Sequence, residues 1–388
     1  MYHTPGETND AISIWLPKKR VLLPGDNIYE SFPNIYTIRG SPARDAYKWY
    51  SSLDFLSSLN SKYMIPSHTS PLVGEDYIRE TIKIYRDAIQ FVHDQTVRQM
   101  NNVRDIDEIV ALVKLPAHMR DHRFLQEFYG TVEWSVRGIY DSYVGWFDGD
   151  PVNLYPLSKK EIAKRLAELM IRKNNDNLGG FELMLKYANE SIEKSDKNFK
   201  ANKQPLNQEL QWAFELISHA KITCNNCIKA KTAYLDILLR IATTMKNANA
   251  RNYYLTCAKE VNNDKITQVS KKDLKRMVDS MPVEAFMSTI PYKVNYEKLD
   301  CKERIKVVFT FINIKQSFVY ELRNCIIIYT ANPKTLPKKF DAHFKTTTNT
   351  WYAILKDETS SVSAYASGDV KINGALWAFK KFMSSLEF

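Results

Sequence analysis

At 388 residues, 44% of them hydrophobic and 12% aromatic, the chain has material for two or three packed domains and is not a disordered tether. Its 54 Lys and Arg against 44 Asp and Glu give a formal charge of +10, but the signs are interleaved and no long basic block marks a nucleic-acid footprint. No apolar run is long enough to span a membrane, and 5 cysteines, few and odd in number, do not point to a disulfide framework, so a reducing compartment such as the cytoplasm is the expectation.

Residues 11–16 alternate apolar and polar and predict a strand, and 20–23 predict a second that ends at Pro24-Gly25. Asp26 therefore falls just past a strand end, where α/β sheets present functional groups. Residues 43–60 predict a helix, with Tyr47, Tyr50, Leu53, Leu56 and Leu59 on one face. Residues 62–65 predict a third strand, followed at once by Pro66, Ser67 and His68. Glu7 sits on an earlier turn, in Thr4-Pro5-Gly6-Glu7. Two carboxylates and an imidazole on three turns make a donor set that suits zinc, with Asp26 the candidate bridge between two ions. Singly, each has a plainer reading: Glu7 capping a turn, Asp26 as turn chemistry, His68 as a buried hydrogen-bonded histidine.

From Glu75 the spacing becomes helical, first in Ile78, Ile82, Tyr85, Ile89 and Val92. Further helices are predicted from Asp105, over 124–143, 207–219, 230–246 and 248–261, resembling a degenerate array of antiparallel helix pairs. Cys224 and Cys227 have metal-ligand spacing, but no second pair completes a zinc set, so they read as two thiols on helices. Helices over 271–281 and 282–289 precede a change to period two. Strands are predicted over 305–313, 317–321, 324–330, 340–344 and 350–355, then residues 368–374 lead into a final helix over 375–386. This is an α+β layer.

The words on these elements resemble the linear alkylsulfatases, multidomain enzymes of the metallo-β-lactamase fold. Thr4-Pro5-Gly6-Glu7, Gly25-Asp26-Asn27 and the Ser67-His68 context with Pro71 and Gly74 are similar to that family's metal-ligand turns, although Asp26 stands where characterised members tend to have glutamate. The run Asn34, Ile35, Tyr36, Thr37, Ile38, Arg39, Gly40, followed by Arg44-Asp45, is similar to the family's sulfate-binding segment. Leu115-Pro116-Ala117-His118, Tyr129-Gly130, Gly145-Trp146-Phe147 and Arg251-Asn252-Tyr253-Tyr254 resemble its dimerisation domain, and residues 368–374 with Leu376, Phe379 and Phe382 resemble its sterol-carrier-protein-2-like (SCP2-like) C-terminal domain.

The resemblance implies a partial α/β metallo-β-lactamase domain over 1–75, an all-α dimerisation domain over 76–262 and an α+β SCP2-like domain over 270–388. It implies two zinc ions held in part by Glu7, Asp26 and His68, with sulfate held by the 34–38 run, Arg39 and Arg44. The activity implied is hydrolysis of alkyl sulfate esters, or of another amphiphilic anion, by a homodimer with no nucleic-acid partner. The family's upstream His-x-His-x-Asp-His motif has no counterpart among the 7 histidines, so the expectation is an N-terminal fragment with weak metal binding alone. The alternative reading is a dimeric, non-catalytic binder of fatty ligands.

Overall fold

The computed structural model describes residues 1–38, 42–102, 105–162, 165, 180–202, 208–224, 227–245, 248–262 and 271–387. The chain forms two compact units, one from Met1–Trp146 with Lys271–Phe388 and the other from Phe147–Ser270.

The first unit opens with strands β1 (Tyr2–His3), β2 (Ile12–Leu16) and β3 (Val21–Gly25), then helix α1 (Ala46–Ser58), β4 (Tyr63–Pro66) and β5 (Leu72–Val73). These strands lie in the order β1-β2-β3-β4-β5. All neighbours are antiparallel except β3 and β4, which run parallel and bring Gly25 opposite Pro66. Asp45 caps α1 by accepting from the Lys48 amide at 3.0 Å, and Trp49, Leu53 and Leu56 at helical spacing form its buried face.

Helix α2 (Glu75–Asn101) is the mast of this unit. It packs on α1, on β4 and β5, and on the segments Val132–Val144 and Ile326–Ala331. With neighbours on several sides, polar residues are buried along it and must find partners. Gln90 donates to the Ile327 carbonyl (3.0 Å), Gln95 to the Val294 carbonyl (3.2 Å), and Arg98 to the Glu387 carboxylate (2.8 Å). Helices α3 (Ile106–Leu112), α4 (Ala117–Arg120) and α5 (Val132–Val144) follow. The predicted helix over 124–143 is corrected. A short 3-10 turn covers Arg123–Leu125, and α5 starts only after Thr131, whose hydroxyl accepts from the Trp134 amide.

In the second unit, α6 (Gly180–Asn202), α7 (Gln208–Thr223), α8 (Ile228–Thr244) and α9 (Ala248–Val261) each pack on the next. Phe214, Tyr234 and Tyr254 meet at its centre, with ring centroids 5.7 and 6.2 Å from Phe214. Cys224 and Cys227 sit at the turn between α7 and α8 rather than within helices, and both are free thiols. Among the described residues no helix is long and apolar enough to cross a membrane.

The chain returns to the first unit with α10 (Lys271–Ser280), α11 (Val283–Thr289), and strands β6 (Arg304–Phe311), β7 (Gln316–Arg323), β8 (Ile326–Ala331) and β9 (Ala342–Thr346). Helices α12 (Thr348–Leu355) and α13 (Ser361–Ala366), strand β10 (Lys371–Gly374) and helix α14 (Leu376–Ser384) complete it. The sheet order is β10-β9-β6-β7-β8, with β6 and β9 parallel. Residues 350–355, predicted as a strand, are helical: Thr347 caps α12 by accepting from the Thr350 amide. Phe309, Phe344, Trp351, Phe379 and Phe382 pack on one another, Phe344 stacking on Phe379 at 5.2 Å. The cysteines, too few and odd in number to point to a disulfide framework, nevertheless include one bonded pair. The β6–β7 hairpin pairs Arg304 with Arg323, which sets the residues just outside it side by side, and Cys301 and Cys325 form a disulfide.

Candidate active site

The parallel pair β3 and β4 builds the site. Gly25 leaves β3 with φ of +64°, a conformation glycine adopts without Cβ strain, and Ser67 donates its amide to the Gly25 carbonyl at 3.3 Å. The residues just beyond the two strand ends are therefore neighbours: His68 Nε2 lies 3.5 Å from Asp26 Oδ1.

Glu7 arrives from a different turn, and Asn27 fixes it there. The buried Asn27 side chain donates to the Thr4 carbonyl at 2.8 Å and accepts from the Glu7 amide at 3.2 Å. Its own carbonyl accepts from the Trp49 indole at 3.1 Å. Gly6 is required at this crossing, because a Cβ there would lie 2.2 Å from Asn27 Oδ1. Asn27 is thus the staple between the two acidic turns, a role that its place beside Asp26 in the sequence does not reveal.

Glu7, Asp26 and His68 line one cleft of about 470 Å³, together with Tyr29, Glu30, Ser31 and Tyr129. Glu7 is buried and makes an ion pair with Arg44, Nη1 to Oε1 at 2.7 Å. Burial pushes its carboxyl pKa above the ordinary 4.5, Arg44 pulls it down, and the nearby Asp26 pushes it up again. Asp26 Oδ1 is buried and accepts no hydrogen bond.

The expected sulfate segment lies mostly elsewhere. Asn34 donates its amide to the Tyr29 hydroxyl at 2.7 Å and its carbonyl accepts from Arg44 Nη1 at 2.6 Å, while its buried Oδ1 is unpartnered. Ile35 is fully buried in the core, Tyr36 packs against Gly138, and Ile38 is exposed. Thr37 and Arg44 line a separate cleft of about 240 Å³ that also reaches Glu7. Arg39 lies outside the described residues.

The donor set fits a borderline divalent ion by chemistry: two carboxylates, one imidazole and an orphaned buried oxygen. Geometrically it falls short of a closed site. Asp26 and His68 approach each other, Glu7 is committed to Arg44, and among the described residues no group of three His, Cys, Asp or Glu could hold an ion.

Three family models match this chain: the metallo-beta-lactamase superfamily over residues 1–68, alkyl sulfatase dimerisation over 105–264, and the alkyl sulfatase C-terminal domain over 271–388. A linear primary-alkylsulfatase from a Pseudomonas species is 31% identical over the whole of this chain, which spans 70% of that relative's length. The alkyl/aryl-sulfatase BDS1 of Saccharomyces cerevisiae is 26% identical and an (R)-specific secondary-alkylsulfatase of Pseudomonas 27%. Each aligns with 95% of this chain, which spans 54% and 52% of their lengths. The solved stereoselective inverting sec-alkylsulfatase Pisa1 from Pseudomonas is 25% identical, with a TM-score of 0.46, all of this chain covered and 58% of that one. With alkyl sulfatase models matching residues 105–264 and 271–388 and a linear primary-alkylsulfatase 31% identical along its whole length, this chain belongs to the alkylsulfatase family of the metallo-beta-lactamase superfamily.

Proposed function

We propose that this chain carries part of the machinery for hydrolysing alkyl sulfate esters, with Asp26, His68 and Glu7 as ligands in a two-zinc centre. The observation that carries the reading is the meeting of Asp26 and His68 beyond the parallel strand pair, where His68 Nε2 lies 3.5 Å from a buried Asp26 oxygen that takes no hydrogen bond. A bound divalent ion would supply Lewis-acid chemistry and acidify water. The chain's own residues do the rest. Asn27 holds the two acidic turns at a fixed separation, Arg44 neutralises Glu7 from behind, and Thr37 with Arg44 lines the neighbouring cleft on the side where an anion would be held. The alkyl sulfatase dimerisation match over 105–264 supports a homodimer.

The test measures zinc content and sulfate release from dodecyl sulfate. It uses this chain alone and this chain joined to the part of the Pseudomonas relative that it does not span. Two zinc ions and sulfate release are expected from the joined protein, and Asp26→Asn and His68→Ala each lower zinc content. Two bound ions with no release from any alkyl sulfate would overturn the substrate class. The Glu7–Arg44 pair favours a second reading, a non-catalytic binder of fatty ligands. Absence of metal from both proteins, with fatty-ligand binding retained, would establish that one.

A further inference from the structure

The cleft has a chemically mixed lining. Glu7, Asp26, Glu30, Ser31 and His68 are its polar lining, and the rings of Tyr29 and Tyr129 supply the apolar part. The Tyr29 hydroxyl is spent on the Asn34 amide, so its aromatic body is what remains. Tyr129 crosses it edge-on with centroids 5.6 Å apart, yet stays 42% exposed, and the next residue back, Phe128, is 81% exposed. Large aromatic side chains left open beside a cleft are the usual mark of a surface that something apolar covers.

The apolar part is held by backbone, not by chance packing. Gln126 accepts from the Phe32 amide at 2.7 Å and the Ser31 hydroxyl at 3.0 Å, and Gly130 donates to the Phe32 carbonyl at 3.2 Å. Gly130 approaches so closely that a Cβ would lie 2.3 Å from the Pro33 carbonyl oxygen. Residues 126–130 are thereby stitched along residues 31–34, and Tyr129 is fixed over Tyr29. In the C-terminal region, by contrast, Phe309 and Phe344 of the sheet and Trp351, Phe379 and Phe382 of the helices on it pack against one another.

We propose that Tyr129, backed by Tyr29, receives the carbon chain next to the ester oxygen and so determines specificity for the organic half of the substrate. This rests on the alkyl-sulfate reading of the same cleft, and it assigns the apolar contact to the cleft rather than to the C-terminal core. The proton and bond changes of hydrolysis are untouched by it; the ring supplies contact area and water exclusion.

The experiment titrates the full chain with hexyl, octyl and decyl sulfates below their micelle concentrations, and with the neutral alcohols hexanol and octanol. Dissociation constants are read by calorimetry. For the intact chain each added methylene is expected to tighten binding by roughly two- to fourfold, the upper figure being full burial. Tyr129→Ser flattens that slope toward onefold, and Tyr129→Phe keeps it. A role in folding alone would shift the melting temperature without changing the slope selectively. A slope that survives in Tyr129→Ser overturns the proposal and leaves the sulfate-ester reading standing. Absence of any chain-length dependence in the intact protein overturns it too. A Tyr129-dependent slope for the alcohols with no binding of the sulfates keeps this inference and removes the sulfate ester as the substrate.

Discussion

Arg44 Nη1 donates to Glu7 Oε1 at 2.7 Å, with the two side chains only 8% and 10% exposed. A buried charge is tolerated when paired and becomes costly when its partner is removed. Replacing Arg44 with Met is expected to destabilise the chain by about 3–5 kcal/mol near pH 8. The deficit shrinks in acid. Glu7 already titrates above 4.5 because of burial, and loss of Arg44 removes the influence that lowers it. A carboxyl raised in the folded state contributes stability that is fully present below the unfolded value and is lost as pH rises through the folded one. Denaturant unfolding of Arg44→Met from pH 4.5 to 8 should therefore show a growing deficit, and adding Glu7→Gln should remove the growth. A deficit flat with pH would mean that Glu7 is not the group left unpaired.

Asp87 is fully buried on α2 and binds the C-terminal sheet to the site-bearing half of the unit. It accepts from Arg323 twice at 2.9 Å, from Asn324 at 2.7 Å and from the adjacent Arg86 at 3.1 Å. Asp87→Leu strands buried guanidinium groups and is expected to cost about 3–5 kcal/mol. Arg323→Met in the same chain should recover part of that loss, giving a coupling of about 0.5–3 kcal/mol in a double-mutant cycle. Strict additivity would show that the pair contributes nothing beyond its parts.

Gly130 tests the stitched segment. Its Cβ would meet the Pro33 carbonyl oxygen at 2.3 Å and Asn34 Cα at 2.6 Å, backbone atoms that cannot swing aside. Gly130→Ala is expected to cost about 1–3 kcal/mol by overpacking. Gly180→Ala, where nothing lies within 4 Å of the added methyl, should stay within about 0.5 kcal/mol. Equal melting temperatures for the two variants would show that residues 126–130 do not press on 31–34.

The strand-end turns were legible because Pro24-Gly25 and Pro66 punctuate two short apolar runs, and punctuation of that kind is local. The Ala46–Ser58 helix was legible within a few residues because its buried positions keep a strict period. Residues 350–355 were not, because six residues flanked by threonine satisfy period two and period 3.6 alike, and the deciding bond is the Thr347 cap. The helical spacing over 124–143 overruns the true helix because it continues through Gly130, whose close approach to Pro33 is a tertiary fact. In the site, residue types named Glu7, Asp26 and His68. What they touch, Arg44 and the Asn27 staple, depends on how separate turns are stacked, which no local pattern encodes.

The Cys301–Cys325 disulfide was illegible for the same reason, since the two cysteines are 24 residues apart and meet only through the hairpin register. Cys325 is buried at 1% exposure and belongs, with Ile326, to the core beneath the site. Closing a loop of that length limits the unfolded chain by about 3 kcal/mol. Cys301→Ser with Cys325→Ser, or full reduction, should therefore lower the melting temperature by several degrees. Thiol counting gives an independent check. Of the 5 cysteines, Cys224, Cys227 and Cys257 are free, so the protein denatured without reductant should show three thiols, rising to five after reduction. In the native chain Cys227 should react first: a hydrogen bond from the Ala230 amide at the start of α8 holds its thiol pKa below the ordinary 9.0, whereas burial pushes Cys257 up to about 11. Five thiols before reduction would show that the pair is open in solution, and the melting temperature would then be indifferent to reductant.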